Sequence, residues 1–101
     1  MYQHIILPEA YHEFFKAWEW YEEIQDGLGN RFRDKVFGTI NRIIENPFHY
    51  AERTPRFREA LIDVFPYLIV YEVFPDKRKV VIISIFHCKR NPILKYKKGQ
   101  K

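Results

Sequence analysis

Hydrophobic and polar residues follow several distinct patterns along this 101-residue chain. A short, largely apolar segment from Tyr2 to Leu7 ends at Pro8 and predicts a first strand that leads into a helix, because proline is favoured in the first helical turn. From Ala10 to Ile24 apolar residues recur at spacings of three and four, while charged residues fill much of the other side. This second pattern predicts an amphipathic helix.

A turn separates this helix from a second one. Residues 26–30 (Asp-Gly-Leu-Gly-Asn) predict a short connection that lets the second helix fold back on the first. The second helix is expected to begin near Arg31 and to end at Asn46. The apolar residues that mark it are Phe32, Val36, Ile40, Ile43 and Ile44, at helical spacing. Gly38 costs on the order of 1 kcal/mol relative to alanine inside a helix, which indicates either a close helix contact or simple tolerance.

Three apolar runs follow, from Phe57 to Val64, from Tyr67 to Phe74 and from Lys79 to His87. Their lengths and their β-branched residues favour strands, and the turns between them contain proline, so a three-stranded meander is expected. The last run is apolar on both faces, which predicts an interior strand that is covered on both sides. The segment from Pro92 to Tyr96, or a partner chain, could cover the second face.

Together these elements predict one α+β domain over residues 1–101. The order is β-α-α-β-β-β, with a helical hairpin packed on a mostly antiparallel four-stranded sheet. An apolar share of 47% and an aromatic share of 18% are enough to fill one core. Charged residues make up 30% of the chain, and with so many aromatic residues this composition is not that of a disordered protein.

Cysteine and histidine usage limits the possible chemistry. Cys88 has no partner for an internal disulfide, and the chain shows neither a leader nor a long apolar run, so a cytoplasmic protein without a membrane segment is expected. The histidines are His4, His12, His49 and His87. They are scattered, and no phosphate-binding loop, zinc spacing or nucleophile elbow accompanies them, so no metal or other cofactor is expected.

Positive charge is the remaining chemical feature. The net charge is +4, and no acidic residue follows Asp76. The candidate residues for binding an anionic partner are Arg53, Arg56, Arg58, Lys89, Arg90 and Lys95. Alternation along a strand would place Arg56 and Arg58 on the same face, where they could bind phosphate or carboxylate groups or pair with glutamates of the first helix. Tyr96 could stack on a base or donate a proton.

Five sequence segments, taken in order, resemble the RelE/ParE toxin superfamily of bacterial type II toxin-antitoxin modules, which includes plasmid stabilisation proteins. They are 20–24 (Trp-Tyr-Glu-Glu-Ile), 27–32 (Gly-Leu-Gly-Asn-Arg-Phe), 44–47 (Ile-Glu-Asn-Pro), 65–71 (Phe-Pro-Tyr-Leu-Ile-Val-Tyr) and 87–92 (His-Cys-Lys-Arg-Asn-Pro). The resemblance runs over nearly the whole chain. The strand, two helices and three strands of the family agree with the elements predicted above.

The resemblance implies two possible toxic activities. RelE-like members are ribosome-dependent mRNA endoribonucleases, with basic side chains on the second and third strands and an arginine and a tyrosine near the C-terminus. Matching this chain to them places Glu59, Leu61 and Leu68 at the basic strand positions, while Arg90 and Tyr96 match the late pair and are the candidate catalytic residues. A ribonuclease without basic side chains at these strand positions would lose transition-state stabilisation.

The link between the helices is more similar to the ParE branch, whose members inhibit DNA gyrase and carry no catalytic residues. The resemblance therefore implies first a gyrase inhibitor, and alternatively a ribonuclease acting on ribosome-bound mRNA. A non-toxic nucleic-acid-binding or interaction domain is the third alternative. The resemblance also implies a cognate acidic antitoxin, whose partly disordered tail would fold into a groove of the sheet and hairpin. A homodimer, or a heterotetramer with antitoxin, is a possible assembly.

Overall fold

The computed structural model describes residues 1–89. In chain order the elements are β1 (Gln3–Ile6), α1 (Pro8–Ile24), α2 (Leu28–Glu45), β2 (Glu52–Thr54), β3 (Phe57–Leu61), β4 (Tyr67–Phe74) and β5 (Lys79–His87). The strands form one sheet in the order β1-β5-β4-β3-β2. β1 is parallel to β5, and the other neighbouring strands are antiparallel. We call the end of the sheet where β1, β3 and β5 begin the lower end, and the opposite end the upper end.

The predicted α+β class and the helical hairpin are confirmed, but the sheet has five strands rather than four. The additional strand, β2, lies between the predicted second helix and the first apolar run, where the sequence pattern predicts no strand. Its Glu52, Arg53 and Thr54 are polar and carry no apolar alternation, so they gave no strand signal. They pair with β3 through a tight hairpin in which the Glu52 carboxylate accepts the backbone N–H of Arg56 at 3.0 Å. β3 in turn ends at Leu61, three residues before the predicted end.

The turn of the helical hairpin is short, and a carboxylate of α1 caps the start of α2. Gly27 adopts a left-handed conformation at φ 88°, and α2 begins directly after it, earlier than predicted. The Glu22 carboxylate accepts the backbone N–H groups of Gly27 at 3.2 Å and of Gly29 at 2.8 Å. It therefore satisfies donors that the first turn of a helix leaves unpaired.

The close helix contact lies at Gly29 and not at Gly38. A Cβ atom on Gly29 would stand 2.7 Å from the carbonyl oxygen of Trp18, whereas one on Gly38 would meet nothing within 4 Å. Of the two interpretations of Gly38, the structure supports simple tolerance. α1 and α2 approach each other closely where the second helix starts.

The main core lies between the helices and one face of the sheet. Ala10, Phe14 and Ala17 of α1 and Phe32, Val36, Ile40 and Ile43 of α2 are buried there against residues of β3, β4 and β5. A smaller cluster of Phe57, Val70 and Ile83 lies on the opposite face. β5 is thus an interior strand with buried residues on both faces, as its sequence predicts. The segment 92–96, predicted to cover the second face, lies outside the described residues. Neither helix within residues 1–89 has the length and apolar content needed to cross a membrane.

Candidate functional site

The basic residues selected from the sequence lie at two opposite ends of the sheet. Phe57 at the start of β3 is level with Glu72 of β4, which pairs with Val81 near the start of β5. Arg56 and Arg58 are therefore at the lower end. Lys89 follows the end of β5, eight residues beyond Val81, which corresponds to about 25 Å at the usual rise of a strand. Arg90, Lys95 and Tyr96 lie outside the described residues.

Arg58 is part of the framework. It is half-buried, and its guanidinium lies 5.2 Å from the centre of the Phe48 ring. It also donates a hydrogen bond of 2.6 Å to the backbone carbonyl of Tyr50. Arg58 thus fixes the loop that follows α2 instead of pairing with the glutamates of α1.

Arg56 does not share a face with Arg58, so this prediction is wrong. Strand alternation does not apply to Arg56, because it lies in the β2-β3 turn with a left-handed φ of 73°. Its guanidinium stacks over Phe57 at 4.7 Å, on the side of the sheet away from the helices. Arg53 is exposed on the edge strand β2.

The strand positions that match the RelE catalytic residues lie together on that same outer face. Glu59 pairs with Val70, and Leu61 pairs directly with Leu68, near the upper end of β3 and β4. Leu61 is 64% exposed. These three positions therefore present a carboxylate and two hydrocarbon side chains where the resemblance to RelE-like members implies basic side chains.

A groove of about 640 Å³ lies between α1 and the upper end of the sheet. We call it the α1 groove. Its lining is formed by Pro8, Glu9, His12, Glu13, Lys16, Ala17 and Trp20 of α1 and by Tyr67, Ile85 and His87 of the sheet. The groove is open beside Trp20 of α1, whose side chain is 62% exposed. On the sheet side, the rings of Tyr67 and His87 meet edge to face with their centres 5.0 Å apart. The backbone N–H of Lys89 donates to Nδ1 of His87 at 3.0 Å, next to this groove.

Glu13 connects the groove to the sheet. Its Oε1 accepts hydrogen bonds from the Ser84 hydroxyl at 3.0 Å and from the backbone N–H of Ile85 at 3.1 Å. The β4-β5 register shifts between Val70 and Tyr71, opposite this point, so the carboxylate supports the strand where the regular ladder is interrupted. Sequence reasoning missed Glu13, although Ser84 inside an apolar run was a signal that a polar partner was needed.

Two tyrosines have clearly altered acidities. Burial raises the pKa of Tyr71, and the positive charge of Arg58 opposes this effect only in part. The Tyr71 hydroxyl donates to the backbone carbonyl of Pro47 at 2.7 Å. Burial also raises the pKa of Tyr21. Both side chains stay neutral at physiological pH and belong to the framework. Within residues 1–89, no group of three His, Cys, Asp or Glu side chains is arranged to hold a metal ion.

Comparison with known proteins gives the family. The family model for the ParE toxin of the type II toxin-antitoxin system parDE matches residues 5–92. The chain belongs to the ParE toxin family. No curated protein sequence matches it.

Solved structures share the fold of this ParE family member. It is similar to a chain of the chromosomal ParDE system of P. aeruginosa, with a TM-score of 0.75 and 12% identity over 88% of this chain and 98% of that one. It is also similar to the isolated E. coli RelE toxin, with a TM-score of 0.67 and 21% identity over 93% and 92% of the two chains. A chain of the intact E. coli RelBE toxin-antitoxin complex gives a TM-score of 0.69 and 22% identity over 89% and 100%.

The ParE-like segment between the two helices has a structural role. The Gly-Leu-Gly-Asn-Arg-Phe segment that resembles ParE forms the end of the turn and the first part of α2. Gly29 within it packs against Trp18, and Phe32 is fully buried. In this ParE family member the motif therefore shapes the hairpin.

Proposed function

We propose that this ParE family protein is a toxin that inhibits DNA gyrase and is neutralised by a cognate acidic antitoxin. The observation that carries the proposal is the chemistry of the outer face at Glu59, Leu61 and Leu68. Cleavage of RNA develops negative charge around the phosphorus, and cations near that position would stabilise it. A carboxylate and two leucines would not. The face is better suited to contact with a protein.

The antitoxin partner is supported by the α1 groove. Trp20 and Tyr67 give it apolar surface, and a segment that folds on binding gains affinity by burying such surface. Lys16 in the groove and Lys89 beside it are cations for antitoxin carboxylates. The similar P. aeruginosa and E. coli structures are toxin-antitoxin systems, which agrees with this partner. Arg53 and Arg56 are too far from the groove to take part in the same contact.

The deciding experiment measures both toxic activities. Induced expression should stop growth, and purified toxin should block supercoiling of relaxed plasmid by gyrase while ribosome-bound transcripts stay intact. Arg90→Ala and Tyr96→Phe should keep the gyrase effect, because the proposal gives them no catalytic role. Transcript cleavage that both variants abolish would establish the ribonuclease alternative, for which the match of Arg90 and Tyr96 is the supporting observation. Growth without arrest would favour the non-toxic alternative.

A second experiment addresses the partner. The toxin, mixed with the antitoxin encoded beside it, should form a stable complex in titration calorimetry, with an affinity that falls as salt rises. Light scattering of the free toxin and of the complex would distinguish a homodimer from a heterotetramer. Absence of a measurable heat and of co-elution would contradict the antitoxin proposal.

A further inference from the structure

A second basic surface lies at the lower end of the sheet, far from the α1 groove. We call it the basic edge and define it by Arg53 and Arg56 of the β2-β3 hairpin and by Lys77, Arg78 and Lys79 of the β4-β5 hairpin. The two hairpins are neighbours because β3 pairs with β4. With strands about 4.8 Å apart, their turns are separated by roughly 10 Å. The basic edge is thus narrow enough to meet one strand or one groove of a nucleic-acid duplex.

Both hairpin turns place an arginine in an unfavourable backbone conformation. Arg56 has φ 73° and Arg78 has φ 51°, and within residues 1–89 Val64 is the one other non-glycine residue with positive φ. Glycine or asparagine would adopt this conformation more easily, and strained residues of this kind concentrate at functional sites. The occurrence of arginine at both tips on the same edge therefore indicates a role for their side chains.

The side chains are also held in place before any ligand binds. The guanidinium of Arg78 lies 4.9 Å from the ring centre of Tyr2, and that of Arg56 lies 4.7 Å from the ring centre of Phe57. Stacking on a ring does not itself use the N–H groups of a guanidinium, and these groups match the geometry of phosphate oxygens. Because their rotamer freedom is already reduced, binding costs less conformational entropy.

The charges of the basic edge are only partly balanced. Within residues 1–89, Arg53, Lys77, Arg78 and Lys79 form no ion pair. The acidic residues of the two hairpins are Glu52, Glu72 and Asp76. Glu52 accepts the backbone N–H of Arg56, Glu72 is half-buried, and Asp76 is exposed in the same turn as Lys77. The two hairpins by themselves carry a positive excess of two charges, five basic residues against three acidic ones.

We propose that the basic edge binds the phosphate backbone of duplex DNA. This inference rests on the proposed function, since a gyrase inhibitor works beside the DNA that gyrase holds. Duplex DNA is favoured over an acidic protein because the cations are spread across two neighbouring turns, where they could contact successive phosphates of a regular backbone. Phosphate contacts of this kind position a protein without selecting a sequence.

The test uses the purified toxin without gyrase and a fluorescent DNA duplex of about 20 base pairs, with anisotropy measured between roughly 50 and 200 mM salt. Arg78→Gly removes one cation and relieves the left-handed backbone, so the variant should fold at least as well as the parent. If Arg78 contacts one phosphate, the slope of log K against log salt should fall by about 0.9, and affinity near 0.1 M salt should fall about eightfold. Arg78→Lys should restore most of the affinity.

Arg31→Ala is the matched control, because Arg31 is exposed on α2 and its loss changes the net charge equally. It should leave affinity within about twofold, since Arg31 makes no phosphate contact in this proposal. Equal losses for Arg31→Ala and Arg78→Gly would overturn the proposal, as would preference for single-stranded RNA or an effect of Arg78→Gly on antitoxin binding alone. DNA binding without inhibition of supercoiling would contradict the proposed function while supporting the edge. Inhibition by a toxin that does not bind DNA would contradict the edge alone.

Discussion

The two interior glycines of the helical hairpin provide a paired test of its packing, because the same substitution should have opposite effects at each. In Gly29→Ala the new Cβ atom would lie 2.7 Å from the carbonyl oxygen of Trp18 and 2.8 Å from Cγ of Glu22. The first contact is with backbone of α1, which cannot move without shifting the helix. In Gly38→Ala the Cβ atom would enter open space.

The magnitudes follow from these contacts. Overpacking of this kind typically costs about 1–3 kcal/mol. Displacement of Glu22 would also disturb the cap on Gly27 and Gly29, and loss of a helix cap costs roughly 1 kcal/mol. The higher helix propensity of alanine returns at most about 1 kcal/mol. Gly29→Ala should therefore lower the free energy of unfolding by about 1–3 kcal/mol, whereas Gly38→Ala should raise it by about 0.5–1 kcal/mol.

Urea unfolding followed by far-ultraviolet circular dichroism would measure both changes from the midpoint, provided that the slope with denaturant stays the same. For a domain of this length a change of 1 kcal/mol corresponds to a shift in Tm of about 4–8 °C, so thermal unfolding provides a second readout. The reasoning would be refuted if Gly29→Ala were as stable as the parent, or if Gly38→Ala were destabilised by an equal amount.

Three further outcomes are expected. Glu13→Ala should lower the free energy of unfolding by about 1–3 kcal/mol, because it leaves the Ser84 hydroxyl and the Ile85 N–H without this acceptor. The control Glu23→Ala, at an exposed position of the same helix, should change the free energy of unfolding by less than about 0.5 kcal/mol, and equal urea midpoints for the two variants would contradict this prediction. Folding raises the pKa of Tyr71 above its ordinary value of 10.0, so its contribution to stability is complete below about pH 10 and is lost as pH rises further. Tyr71→Phe should flatten that alkaline fall in urea midpoints above about pH 10, and an unchanged slope would count against the assignment. Trp20→Ala should weaken antitoxin binding in calorimetry at least about tenfold. Phe15→Ala, which removes an exposed aromatic ring outside the α1 groove, should not weaken it, and similar losses for the two variants would exclude the groove as the docking site.

Local sequence patterns were sufficient for the two helices, each of which buries one apolar face, and for the four longer strands, whose apolar runs are bounded by turn residues. β2 could not be predicted in this way, since its residues are polar and its pairing depends on the turn at Arg56. The choice between Gly29 and Gly38 depended on which residue met Trp18, and this is a property of helix packing, not of helix propensity.

The candidate sites were even less visible in the sequence. Arg56 and Arg58 are two residues apart, yet a turn places their side chains on opposite faces of the sheet. The groove joins residues of α1 to residues of β4 and β5 that are more than forty positions away. The sequence did indicate that positive charge matters, but it could not show that Arg78 and Arg56 share an edge, because that depends on the antiparallel pairing of β3, β4 and β5.

The separation of the two surfaces constrains how neutralisation could work. The α1 groove is at the upper end of the sheet, and the basic edge is about 25 Å away at the lower end. An antitoxin tail seated beside Trp20 and His87 would leave Arg78 uncovered, so the neutralised complex should keep the DNA affinity of the free toxin while it loses contact with gyrase. An antitoxin that also covered Arg78 would abolish DNA binding on complex formation. Anisotropy titrations of the DNA duplex with the complex therefore show whether neutralisation acts on the protein contact alone.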